Sequence, residues 1–218
     1  MDQSPHRLHK DLLIIKKVDL QYLLYLPKDY LSSSEKWPVI LFLHGRDQRG
    51  EDTDLLKIRA LPQLIEGGED FPFLVIAPQC PNYYIWPFVF DGLIAIVDEV
   101  ISNYSVDENR IYLTGLSMGG FATWDLAMEY PRKFAAIAPV CGAGSKERVE
   151  TLKHVPVWAF HGAEDDVVPL EEAREVVDAL QSIGGNAHMT VYPDGNHDAW
   201  TETYQNPGLY EWFLKNSL

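Results

Sequence analysis

Ile111-Tyr-Leu-Thr-Gly-Leu-Ser-Met-Gly-Gly120 carries the pattern G-x-S-x-G at Gly115-Leu116-Ser117-Met118-Gly119. An apolar, strand-like stretch precedes the pattern, and Phe121 to Tyr130 reads as a helix after it. That is the setting of a nucleophile elbow, in which a serine sits on a sharp strand-to-helix turn with a strained backbone. Small residues two before and two after the serine let the turn close without side-chain collision. Ser117 is therefore expected to be a nucleophile. The expectation requires a base, an orienting acid and an oxyanion site elsewhere in the chain.

The strands and helices around this turn follow an alternating order. Val18 to Leu26 mixes apolar and polar residues and stops at Pro27. Five stretches are short and apolar on both sides: Pro38 to Leu43, Phe73 to Ala77, Arg110 to Thr114, Ala135 to Val140 and Val155 to Phe160. Ala187 to Tyr192 ends at Pro193. Such runs suit parallel strands covered on both faces. Leu93, Ile96, Val97, Val100, Ile101 and Tyr104 recur at helical spacing, as do Ala173, Val176, Val177 and Leu180. Glu171 and Glu172 sit where they favour the N-terminal end of the second of these helices. Residues 206–217 are expected to form a last helix, with Leu209, Trp212 and Phe213 facing inward. The order predicts an α/β fold: a mostly parallel sheet with helices on both faces. Ligands bind beyond the carboxyl ends of strands in such sheets.

Size and charge narrow the function. The chain has 218 residues, enough for one α/β domain over 1–218 with a full core, residues 1–17 forming an N-terminal strand or extension. No linker, repeat or low-complexity tract interrupts it. Lys and Arg number 18 and Asp and Glu 32, so the net charge is −14. That balance argues against nucleic acid and against an anionic membrane surface as partners. No apolar run approaches the roughly 18–20 residues of a membrane span. Met1 to Arg7 lacks the apolar stretch of a signal peptide, so the expectation is an intracellular protein or one whose targeting segment is absent from this chain. Two cysteines, Cys80 and Cys141, form neither a disulfide framework nor a metal-ligand pattern and read as reduced, small hydrophobes.

A serine hydroxyl needs a base. Of seven histidines, His6 and His9 lie in a polar N-terminus, and His154 and His188 flank strands. His44 and His161 both occur as His-Gly at a strand end, which suggests turn-making roles. His197 lies in Pro193-Asp-Gly-Asn-His-Asp-Ala-Trp200, a turn-rich loop after the last strand, and is the expected base. The acid should fall between Ser117 and His197 in the chain. Glu164, Asp165 and Asp166 offer three adjacent carboxylates there; Asp165 is preferred, then Asp166, then Glu164, the other two forming a solvated turn. The oxyanion needs preorganised N–H donors. Met118 supplies one from the residue after the nucleophile, and Arg46, in Leu41-Phe-Leu-His-Gly-Arg46, the other. The Arg46 side chain reads equally as a solvated cation or a substrate contact.

With these residues in place the chain resembles the α/β-hydrolase superfamily, and within it the small lidless esterases grouped with dienelactone hydrolases, phospholipase/carboxylesterases and feruloyl or polyhydroxybutyrate-type esterases. The resemblance rests on Tyr25-Leu-Pro-Lys-Asp-Tyr30, Phe42-Leu-His-Gly-Arg-Asp-Gln-Arg-Gly50, Ala77-Pro-Gln-Cys-Pro81, Gly115-Leu-Ser-Met-Gly-Gly120, His161-Gly-x-x-Asp165-x-x-Val-Pro169 and His197-Asp-Ala-Trp200. It favours Asp165, four residues after the histidine of its His-Gly, and implies no metal and no organic cofactor. One departure matters: dienelactone hydrolases use a cysteine nucleophile, and this chain has Ser117. The superfamily's strand order also puts two strands between the loops of Cys80 and Cys141, each about 4.8 Å from the next. A disulfide needs Cα atoms within about 7 Å, so free thiols are expected.

The implied activity is hydrolysis of short-chain or aryl esters through an acyl-enzyme, feruloyl and acetyl groups included, whether on small molecules or on polysaccharide. A serine peptidase of the same fold and a non-catalytic binding protein are the competing readings. Trp86 and Trp200 are expected to line the substrate pocket, Tyr83 and Tyr84 are even between wall and packing, and Gln79 is a weaker polar contact. Cys141 to His154 is the sole candidate cap and is short, so an open site is expected. Oligomeric state has no signature in the sequence.

Overall fold

A computed structural model describes residues 17–218. The expected N-terminal strand or extension over 1–17 falls almost entirely outside them. Seven strands form one sheet: β1 (Tyr22–Tyr25), β2 (Trp37–Leu43), β3 (Leu74–Pro78), β4 (Val106–Leu116), β5 (Ala136–Val140), β6 (Val157–Gly162) and β7 (Ala187–Tyr192). Their spatial order is β1-β3-β2-β4-β5-β6-β7. β1 runs antiparallel to β3, and every other pair is parallel. Six α-helices accompany the sheet among the described residues: α1 (Ala60–Glu66), α2 (Phe90–Asn103), α3 (Met118–Glu129), α4 (Leu170–Ser182), α5 (Ala199–Gln205) and α6 (Pro207–Leu214).

Alternation along β2 shows why both faces must be covered. Val39, Leu41 and Leu43 point to one side, where they join Leu93 and Val97 of α2, Leu126 of α3 and Val177 and Leu180 of α4. Ile40 and Phe42 point to the other, with Leu61 of α1, Tyr204 of α5 and Phe213 of α6. Each such fully buried aliphatic or aromatic side chain contributes about 1.5–3 kcal/mol of transfer free energy. A central parallel strand therefore reads as an unbroken apolar run.

Three local differences from the sequence reading have physical causes. β4 begins at Val106 rather than Arg110, but its pairing with β2 jumps between Trp37 and Val39, so 107–110 bulge out. Asp107 stabilises the bulge by accepting from the Asn109 N–H at 3.1 Å and from Arg110 Nε at 2.6 Å. The last helix, expected over 206–217, is the shorter α6, Pro207–Leu214. Asn206 caps α6 by accepting from the Gly208 N–H at 2.9 Å, and Pro207, which has no N–H to continue a helix, occupies its first turn. Finally, α1 and α5 were not anticipated; each is only seven residues long. The candidate cap folds as a 3-10 helix, Lys146–Leu152, whose Val149 and Leu152 are buried with α3 and α4 as part of the core.

Candidate active site

β4 delivers Ser117 at the sheet's carboxyl edge, one residue before α3. Its backbone sits at φ 53° and ψ −116°, a region costly for a residue with a side chain. The strain is held in place by its N–H, which donates to Val140 O of β5 at 2.9 Å, and by Phe121 N–H donating to Ser117 O at 3.0 Å. The turn is crowded: a Cβ on Gly119 would lie 2.0 Å from Leu43 O, and one on Gly115 would lie 2.6 Å from the same oxygen. Nothing larger than glycine fits at either position, which is the steric reason for the G-x-S-x-G spacing.

The loops after β6 and β7 meet this serine. His197 Nε2 lies 2.9 Å from Ser117 Oγ, and His197 Nδ1 lies 2.8 Å from Asp165 Oδ2. An ionised carboxylate only accepts, so Nδ1 carries the proton and Nε2 presents a lone pair to the serine hydroxyl. The other Asp165 oxygen, Oδ1, accepts from the N–H groups of Val167 and Val168, each at 2.9 Å. Burial by itself raises the Asp165 pKa; the Val168 N–H, His197 and the Val167 N–H outweigh it and hold the carboxyl below the usual range. The Asp165 side chain is fully buried, whereas Glu164 and Asp166 are exposed and make up the solvated part of the acidic turn.

Arg46 begins the short 3-10 helix Arg46–Gln48 and Met118 begins α3. N–H groups in the first turn of a helix have no acceptor within it, so both are available to an incoming oxygen. The Arg46 side chain is exposed.

Trp86 is enclosed in the core, and the cavity that Gln79 borders, with Asp19, Leu20, Gln21, Gly50, Glu51 and Pro81, includes none of Ser117, Asp165 and His197. Trp86 is fully buried, donates from Nε1 to His44 O at 3.1 Å and packs edge-on against the His44 ring. Gln79 is also buried, and its Nε2 ties together Gln48 O at 2.9 Å and Asp52 O at 2.8 Å. Both brace the loop that carries Arg46. The Trp86 Nε1–H and the Gln79 amide N–H groups are consumed by main-chain carbonyls, and Gln79 Oε1 is buried without a partner among the described residues. Tyr83 is fully exposed and Tyr84 about half exposed. Trp200 does stand beside the site: its ring meets His197 edge-on, with centroids 5.2 Å apart. The Arg59 guanidinium lies 5.8 Å from the centroid of Trp200 and pairs with Asp47 at 2.8 Å.

The two remaining strand-end histidines are buried braces. His44 bonds the Cys80 N–H and Gly45 O, and His161 bonds Val168 O at 2.9 Å. His154 and His188 are exposed, while His6 and His9 lie outside the described residues. Cys80 and Cys141 are both free and buried. Sequence reasoning missed Cys141 as a neighbour of the site: its sulfur, an Asp165 oxygen and a His197 nitrogen all lie within 4.8 Å of one another. A metal ion held by these three atoms would have to replace the proton between Asp165 and His197. Nothing in the local sequence marked Cys141, since the contact depends on three loops converging.

A mostly parallel sheet with this elbow and this loop order is the architecture of the α/β-hydrolase esterases. Residues 89–207 match the phospholipase/carboxylesterase family, and the chain belongs to it. It is 26% identical over 193 residues to the bifunctional acetylxylan esterase/xylanase XynS20E of Neocallimastix patriciarum, covering 86% of this chain and 27% of that one. It is 29% identical over 230 residues to the poly(3-hydroxyalkanoate) depolymerase C of Paucimonas lemoignei, covering 79% of this chain and 54% of that protein. The chain thus spans about a quarter to a half of the length of these relatives. A crystal structure of a thermostable esterase superposes with a TM-score of 0.80 at 36% identity, over 92% of this chain and 60% of that one. No helix among the described residues is long and apolar enough to cross a membrane.

Proposed function

We propose that this protein is a serine carboxylesterase that cleaves short-chain or aryl esters, acetyl and feruloyl esters among them, through an acyl-enzyme. The reading is carried by the hydrogen-bonded chain Ser117–His197–Asp165 at 2.9 and 2.8 Å on a strained elbow. In this mechanism Ser117 Oγ attacks the ester carbonyl carbon while His197 Nε2 takes the hydroxyl proton. The Arg46 and Met118 N–H groups hold the oxyanion of the tetrahedral intermediate. The carbonyl re-forms, the C–O bond to the alcohol breaks, and His197 gives its proton to the departing alkoxide. Water then attacks the acyl-serine by the same sequence in reverse. Asp165 keeps the Nδ1–H tautomer and stabilises the imidazolium.

The substrate class follows from the walls. Residues 143–154 join the core instead of covering the elbow, which suits small or polymer-linked soluble esters over long lipids. Relatives named for acetylxylan and poly(3-hydroxyalkanoate) esters support the same class.

Turnover of p-nitrophenyl acetate, p-nitrophenyl octanoate, methyl ferulate and an aminoacyl anilide tests the reading. Acetate and ferulate should turn over fastest, and Ser117→Ala should lower ester turnover by about a thousandfold or more while circular dichroism stays native. Undiminished hydrolysis by Ser117→Ala would sink the nucleophile assignment. Preference for the anilide would move the protein to the peptidases.

A further inference from the structure

Asp165 has more around it than a triad acid needs, and the surplus centres on a thiol that the proposed mechanism leaves idle. Cys141 follows β5 directly, at φ 48°, a left-handed conformation rare for a residue with a side chain. Its own N–H donates to Phe160 O of β6 at 2.9 Å, a bond any non-proline residue makes there. The side chain is what distinguishes the position. The sulfur is fully buried and lies within 4.8 Å of an Asp165 oxygen and a His197 ring nitrogen. The Asp165 carboxylate and the N–H groups of Ala199 and Gly162 are among the groups that act on the thiol.

Those partners belong to two other loops. Gly162 and Asp165 lie at and after the end of β6, and Ala199 is two residues beyond His197. One sulfur therefore touches the acid loop and the base loop from the end of a third strand. We propose that Cys141 is a positioning residue: its S–H donates to the Asp165 carboxylate and its sulfur accepts from Gly162 and Ala199, locking the acid and base loops in register. Asp165 Oδ1 is already occupied by two main-chain N–H groups; Oδ2 accepts from His197 and lies 3.2 Å from His161 Nε2, whose N–H also bonds Val168 O. A neutral thiol beside this ionised carboxylate is compatible with it, whereas a thiolate would repel it. Burial, with the charge of Asp165, pushes the thiol up to about 12, so the donor proton stays on sulfur at neutral pH.

The inference rests on the serine-esterase reading for its kinetic consequences, but part of its test does not need turnover. Cys141→Ala removes the donor and Cys141→Ser replaces it. Both keep a Cβ, so the backbone strain is common to the two. In Cys141→Ala, kcat on p-nitrophenyl acetate should fall about five- to tenfold, the effect of one ordinary hydrogen bond, with KM within about twofold of the parent. Cys141→Ser should restore kcat to within about twofold. The downfield proton resonance of His197 Nδ1–H should shift in the alanine variant and return in the serine variant. That resonance is also readable in a Ser117→Ala background, where failure of the esterase reading leaves it untouched. Wild-type kcat and an unmoved resonance in Cys141→Ala overturn the proposal. So does a serine variant that restores neither while melting at the same temperature as the alanine variant.

Discussion

The dipeptide His-Gly ends two strands, β2 at His44-Gly45 and β6 at His161-Gly162, and the two copies do opposite things with the same ring. Both imidazoles are fully buried. His44 Nε2 accepts from the Cys80 N–H at 2.9 Å and Nδ1 contacts Gly45 O at 2.6 Å, so its proton sits on Nδ1. His161 faces acceptors, Val168 O at 2.9 Å and Asp165 Oδ2 at 3.2 Å, both from Nε2, so its proton sits on Nε2 and its buried Nδ1 has no partner among the described residues. His44 fastens the loop bearing Arg46 to the loop after β3. His161 fastens the loop bearing Asp165 to itself. A strand-end histidine thus serves as an adjustable staple whose tautomer is chosen by whichever main-chain group the neighbouring loop presents.

The glycines separate the two turns most sharply. A Cβ on Gly162 would meet Asn196 O at 2.2 Å and Gly195 O at 2.3 Å, both main chain, one residue from His197. A Cβ on Gly45 would meet Leu116 Cδ1 at 2.8 Å, the far end of a side chain. Gly162→Ala should therefore displace the proposed base and lower kcat/KM by about a hundredfold or more, whereas Gly45→Ala should cost less than about tenfold. Equal losses on p-nitrophenyl acetate would mean that the two turns abut the site alike.

The next effect is on stability against pH. Burial lowers the His44 pKa from 6.5 to about 4. The folded state then binds fewer protons than the unfolded chain between those values, so stability is complete above pH 6.5 and declines as pH falls to about 4. The loss is on the order of 3 kcal/mol. His44→Gln should flatten this stretch of the profile, measured by urea unfolding at stepped pH. A slope in the variant as steep as in the parent would place the titrating group elsewhere.

A smaller effect tests the His161 staple. His161→Leu leaves Val168 O without its buried donor and should cost about 1–3 kcal/mol in urea unfolding. His161→Gln, which can present an N–H at the Nε2 position, should recover at least half of that. If glutamine does no better than leucine, the bond to Val168 contributes little and the ring acts by packing alone.

These contrasts mark how far the chain could be read without its fold. The elbow at Ser117 and the loop of His197 were legible because their surroundings are local: a crowded elbow demands small neighbours, and a loop before the final helices demands turn formers. The sheet was legible from apolar runs, since a strand buried on both faces can hold little else. Trp86 and Gln79 were misread, because a polar or aromatic residue after a strand looks the same in sequence whether it faces substrate or a carbonyl of the next loop. The start of the last helix at Asn206-Pro207 was legible, whereas the seven-residue α5 before it was not.

The chain order of the strands, the identity of the elbow and the residue types at its flanks were determined by the sequence alone, because each depends on neighbours a few residues away. Which carboxylate of Glu164, Asp165 and Asp166 turns inward, which tautomer each buried histidine keeps, and that Cys141 lies against Asp165 and His197 were decided only in three dimensions. Those features come from loops after β5, β6 and β7 meeting at one edge, and contacts across adjacent parallel strands carry no signature within any single loop.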